Sequence, residues 1–272
     1  MRKLKILMVL LACLVIGANV VLNLRTSAED RTAPELTVPM DVLELSVEAE
    51  ESEYLTGVQA KDSRDGDLTD QVFVEHTSQL TGADTIEATY AVFDEAGNFS
   101  KATRTIRYTD YSGPYFTLSE PLRFPVGAVV TLKDRLMAVD QLDGEITGNI
   151  RMTNISLSND IEGIYRIRVQ VTNSLGDTET LTLPVIIIAQ PEITPTISLS
   201  EYIVYTKAGD SFVPEDYING VSDPASDSFP QKTDVAVETT ADLNTPGTYD
   251  VVYTYTGVKA TGTVILTLVV TG

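Results

Sequence analysis

The chain has 272 residues and a formal net charge of −20 at pH 7. That field repels phosphate backbones and argues against nucleic acid as a partner. One cysteine, one histidine and no tryptophan exclude an intrachain disulfide framework and leave no material for a His-rich zinc site or a recognisable histidine triad.

The first element is N-terminal. Arg2, Lys3 and Lys5 precede an apolar run from Ile6 to Leu22 in which Asn19 is the one strongly polar interruption. At 1.5 Å per residue such a run barely crosses a hydrocarbon core of about 30 Å, and the basic flank holds the short end in the cytoplasm. Residues 1–25 are therefore expected to be a signal anchor or a signal peptide, making the membrane a partner through this helix. Cleavage after Thr26-Ser27-Ala28, which would release a secreted protein, and lipid attachment at Cys13 are the other fates. Residues 26–31 read as a polar linker.

Beyond the linker the chain repeats at a period near 80 residues. Each repeat opens with proline and a short alternating strand: Pro34-Glu35-Leu36-Thr37-Val38, Pro114-Tyr115-Phe116-Thr117-Leu118 and Pro195-Thr196-Ile197-Ser198-Leu199. Proline at a strand's first residue costs no ladder hydrogen bond. Each repeat later carries a strictly alternating strand, through Ile86, Ala88, Tyr90 and Val92, then Tyr165, Ile167, Val169 and Val171, then Tyr249, Val251, Tyr253 and Tyr255. Period-two alternation buries one face and wets the other. A turn and a last β-rich run close each repeat as a hairpin. No stretch past residue 30 sustains a 3.6-residue period. The expected fold is all-β, three tandem sandwiches over 32–110, 111–190 and 191–272. The short connections 109–113 and 189–195 predict modules joined end to end.

The first repeat reads Ala60-Lys61-Asp62-Ser63-Arg64-Asp65-Gly66-Asp67-Leu68-Thr69 and later Asp94-Glu95-Ala96-Gly97-Asn98. This resembles the bacterial immunoglobulin-like domain of pesticidal crystal proteins and bacterial surface proteins. The second repeat keeps Ala138-Val139-Asp140-Gln141-Leu142-Asp143-Gly144-Glu145-Ile146-Thr147 but has Asn173 where the family has aspartate. The third keeps Thr245-Pro246-Gly247-Thr248-Tyr249 and replaces the Asp-Gly-Asp stretch with Asp223-Pro224-Ala225-Ser226-Asp227-Ser228, so it reads as divergent. The resemblance implies immunoglobulin-like sandwiches in an exported protein, serving as spacer or adhesive modules without catalysis.

Asp62, Asp65 and Asp67, and again Asp140, Asp143 and Glu145, have the chemistry of calcium ligands. Their spacing is not that of an EF-hand, and turn chemistry accounts for them: aspartates accept backbone N–H bonds, and Gly66 and Gly144 permit positive φ. No catalytic, cofactor-binding or metal-ligating residue is assigned, and calcium is expected to change stability little. Tyr249, Tyr253 and Tyr255 read as core rather than a sugar platform, and His76 as a surface residue. Asn98-Phe99-Ser100 and Asn154-Ile155-Ser156 fit the glycosylation pattern. The expected function is a membrane-tethered extracytoplasmic spacer or adhesive stalk that is not an enzyme. The alternative is a glycan- or wall-binding module, with or without the assistance of calcium. The partner is a protein or glycan at the cell surface.

Overall fold

The computed structural model describes residues 15, 16, 30–82 and 84–272, without the side chains of 154–156. The N-terminal segment, Cys13 and the cleavage point therefore lie outside the described residues, apart from Val15 and Ile16. Among the described residues no helix is long and apolar enough to cross a membrane. The chain divides into two compact units, up to Asp110 and Tyr111–Gly272.

The first unit is built from β1 (Glu35–Thr37), β2 (Leu43–Leu45), β3 (Gln59–Asp62), β4 (Gly66–Asp67), β5 (Phe73–Thr77), β6 (Thr85–Phe93) and β7 (Phe99–Tyr108). One sheet runs β1-β3-β4 and the other β2-β7-β6-β5. The first strand switches sheets: β1 pairs antiparallel with β3, and β2 pairs parallel with β7. A short helix, α1 (Glu51–Tyr54), is held by a reciprocal capping box between Glu50 and Glu53. Along β6, Ile86, Ala88, Tyr90 and Val92 are fully buried, as the alternation predicts.

The second unit repeats this arrangement twice. Its N-terminal half contains β8 (Tyr115–Leu118), β9 (Arg123–Pro125), β10 (Leu136–Asp140), β11 (Gly144–Glu145), β12 (Arg151–Ser156), β13 (Gly163–Thr172) and β14 (Thr178–Ile188). They form sheets β11-β10-β8 and β12-β13-β14-β9. Its C-terminal half contains β15 (Thr196–Leu199), β16 (Ile203–Lys207), β17 (Ile218–Ser222), β18 (Ala236–Thr239), β19 (Gly247–Thr256) and β20 (Thr261–Thr271). They form sheets β15-β17 and β16-β20-β19-β18. Again β9 and β16 run parallel to the last strand of their halves.

Two residues show how the strands are fastened. Tyr165 and Tyr249 each donate a hydroxyl hydrogen to a carbonyl four residues upstream, Ile161 and Thr245, at 2.9 Å. Gly163 and Gly247 lie directly against those rings. This is the corner device of immunoglobulin-like sandwiches, and both tyrosines open the alternating strand on which they were expected.

The end-to-end expectation fails inside the second unit. In β14 the inward residues Leu181, Leu183, Val185 and Ile187 are buried, but so are the outward Ile186 and Ile188. Ile186, Ile188 and Ile265 form a separate apolar cluster with Val252 packed on it. Arg166 of β13 pairs with Asp250 of β19. Arg123 donates to the Pro195 carbonyl at 3.0 Å, and the Phe116 amide donates to the Tyr205 hydroxyl at 3.0 Å. The two halves therefore meet along strand faces as well as through their connection. The physical reason is legible in composition: 183–188 and 264–266 are unbroken apolar runs, whereas the outward residues of β7 are Lys101, Thr103, Thr105 and Arg107. A sheet wet on one face alternates, and a sheet covered on both faces does not.

Candidate functional site

The loops that follow β3, β10 and β17 face the turns that follow β6, β13 and β19. In the first unit the Asp62 Oδ1 accepts the amides of Arg64 at 2.7 Å and Asp65 at 3.1 Å. Asp65 accepts the Glu95 amide at 2.8 Å, which ties the loop to the opposite turn. Asp67 accepts the Thr69 amide at 3.0 Å, and the Thr69 hydroxyl beside it holds its carboxyl below the usual range. Gly66 and Gly144 have φ of 79° and 69°. The expected turn chemistry is present.

The second unit repeats it. Asp140 Oδ1 accepts the Leu142 and Asp143 amides at 2.9 and 3.0 Å, and Asp143 accepts the Ser174 amide at 2.6 Å. Glu145 is exposed. Asp140 is 1% exposed and its Oδ2 accepts a bond of 3.0 Å from the Asn173 amide. That amide also donates to the Tyr111 hydroxyl at 2.8 Å. Burial and the neighbouring Asp177 carboxylate, which accepts the Tyr111 proton, push the Tyr111 hydroxyl upward in pKa. In the C-terminal half, Asp223 accepts the Ala225 and Val258 amides, each at 2.9 Å.

In the first unit the position of Asn173 is held by Asp94, and a third carboxylate, Asp30, joins it. One oxygen from each of Asp30, Asp62 and Asp94 lies within 4.8 Å of the others. Asp94 is buried and accepts the Asn98 backbone and side-chain amides, both at 2.7 Å. Asn98 also donates to the Asp30 carbonyl at 3.2 Å. Asp30 lies in the stretch read from sequence as a linker, and nothing local marks it. Asp94 belongs to the turn motif but carried no ligand signal by itself.

A second surface feature is aromatic. Phe73, Phe93 and Phe99, on three adjacent strands, are 38%, 46% and 54% exposed. The Phe73 and Phe93 rings are nearly parallel with centroids 6.2 Å apart, and Phe93 and Phe99 are 5.7 Å apart. The Lys101 ammonium sits 5.6 Å over Phe99 and pairs with Glu75. Register places Arg151, Thr172 and Thr178, and then Ala236, Thr256 and Thr261, at the same positions in the second unit. The exposed rings are thus not needed to form the sheet. His76, on the same edge strand, is exposed as expected. Tyr253 is fully buried and Tyr249 and Tyr255 pack on the core, also as expected. Asn98 is engaged in the acidic cluster, and the Asn154 side chain lies outside the described residues. A largely apolar recess of about 570 Å³ in the second unit, lined by Tyr115, Glu179, Ile203, Tyr205 and Val269, is the unfilled end of the seam between its halves.

Comparison with known proteins gives a consistent result. The chain is 30% identical over 139 residues to pesticidal crystal protein Cry22Aa of Bacillus thuringiensis, covering 48% of this chain and 18% of that one. It is 26% identical over 178 residues to an uncharacterized 81.3 kDa protein of Acholeplasma phage L2, covering 64% and 23%. The chain therefore spans less than a quarter of either relative's length. Similar solved structures include Drosophila N-cadherin EC1-3, at 14% identity, 86% and 98% coverage and a TM-score of 0.33. CBM51-2 with INT domains of Clostridium perfringens ZmpB is another, at 17% identity, 55% and 26% coverage and a TM-score of 0.24. At these scores neither likeness carries an argument. The bacterial Ig-like domain (group 3) family matches residues 205–265. This segment contains both the divergent Asp223–Ser228 stretch and the Thr245–Tyr249 motif that the third repeat keeps. Residues 205–265 thus belong to a bacterial Ig-like domain (group 3), and the similarity to the crystal protein extends over about half of the chain.

Proposed function

We propose that this chain is a membrane-tethered extracytoplasmic interaction protein, in which residues 1–25 anchor or export three immunoglobulin-like modules over 32–110, 111–190 and 191–272, and that it is not an enzyme. The observation that carries the reading is the recurrence, three times, of a four-stranded sheet whose first strand runs parallel to the last, behind a basic and apolar leader. The strong negative charge fits a surface that stays soluble and stands off anionic membranes. The test is protease added to intact cells that express the full chain. Digestion of everything beyond about residue 25 is the expected outcome, and full protection overturns the topology.

A glycan- or wall-binding role is favoured by the Phe73, Phe93 and Phe99 strip, since flat exposed rings stack on apolar sugar faces and an aromatic cluster left in water marks a contact surface. A glycan array probed with residues 30–272 should give signals that Phe93→Ala abolishes. Signals unchanged by Phe93→Ala would place recognition elsewhere, and a blank array would favour a protein partner.

A further inference from the structure

We propose that the first unit binds one calcium ion between Asp30, Asp62 and Asp94. The turn bonds leave ligand atoms free. Asp62 spends Oδ1 on its loop amides, and Asp30 spends Oδ1 on the Thr32 amide and hydroxyl at 3.0 and 2.5 Å. The other Asp30 oxygen, Oδ2, is buried and has no hydrogen-bond partner, in a side chain only 9% exposed. The cation nearest to it, Arg64 Nε, stands 3.7 Å away, beyond hydrogen-bonding distance, on a half-exposed side chain. Among the described residues, the three carboxyl groups have the Arg64 guanidinium at their edge.

The second unit has an amide where the first has a carboxylate. Asp140, the counterpart of Asp62, receives the Asn173 amide at its Oδ2. In the C-terminal half the position is Gly257, whose Cβ would stand 2.5 Å from Asp223 Oδ2, and the Val258 amide fills the role. The first unit alone puts a carboxylate where its counterparts put an N–H donor. Calcium takes oxygen ligands at about 2.3–2.6 Å, so ligands of one ion lie up to about 5 Å apart, which accommodates the observed 4.8 Å spacing. No histidine or cysteine is in the cluster, which disfavours zinc. With three protein carboxylates and the remaining positions left to water, the dissociation constant falls at about 10⁻⁴–10⁻³ M, the range of extracellular modules.

The test uses the full chain in neutral detergent, with calcium chloride as the probe. Calorimetric titration should give one saturable site, and 5 mM calcium should raise the melting midpoint of the first unit by about 5–10 °C over the chelated protein. Asp94→Asn, which puts an amide where Asn173 stands, should abolish both effects. Asp30→Asn, at the edge of the unit, should abolish binding independently should the first variant fold poorly. No saturable binding, binding retained in both variants, or an equal shift with magnesium or with sodium chloride of matched ionic strength would each overturn the site.

Discussion

Arg104 is the residue whose behaviour departs most from its type. It lies on the inward face of β7 with 4% of its side chain exposed, at the register position of the fully buried Leu183 and Leu266. Its guanidinium donates to the Asp41 carbonyl at 3.0 Å, the Thr56 carbonyl at 2.9 Å and the Asp41 carboxylate at 3.0 Å. A buried cation is tolerated because its donors are engaged by carbonyls of two loops, which it fastens to the sheet. Arg104→Met keeps volume but strands those carbonyls, and should cost about 2–3 kcal/mol in chemical unfolding. A change under about 0.5 kcal/mol would mean the loops are held by other contacts. The alternation of β7 marked position 104 as inward, but an arginine there reads as a surface residue until the carbonyls of 41 and 56 are brought beside it.

At the scale of elements, the informative contrast is between β7 and the pair β14 and β20. The hairpin partners are the same in all three cases. Apart from Arg104, the difference lies on the outward face, which is charged and threonine-rich in β7 and carries isoleucine and valine in the other two. Burial of Ile186 and Ile265 at 8% and 5% exposure removes apolar area from water on faces that a lone sandwich would leave wet, at about 25 cal/mol per Å². A double-mutant cycle tests the contact. Ile186→Ala and Ile265→Ala should each destabilise by about 2–5 kcal/mol, with a coupling of at least about 0.5 kcal/mol between them. Strict additivity would mean that the two residues do not share a contact. The apolar runs were visible in the sequence, but period-two logic assigns only one face to a core and cannot say what covers the other.

For the whole molecule, the modules keep one strand plan and differ in what their loops and faces carry. The plan was readable because alternation, opening prolines and glycine turns are local and repeat near every 80 residues. The turn aspartates and the core roles of Tyr249, Tyr253 and Tyr255 followed from the same local rules, whereas the hydroxyl bonds of Tyr165 and Tyr249 appeared only in the structure. The acidic site did not, since its members are 32 residues apart in each step, 30 to 62 to 94, and only strand pairing brings them together. The aromatic strip was hidden for a related reason: Phe73, Phe93 and Phe99 lie on the wet face, where position along the sheet, and not pattern, decides whether rings meet. By itself the sequence determined the all-β class, the repeat and the turn chemistry, because these depend on side-chain period and backbone preference within a few residues. Only tertiary structure decided that three carboxylates converge in one unit, that an amide replaces one of them in another, and that two sheet faces seal against each other. Charge repulsion and apolar burial act through space between residues that the chain order keeps far apart.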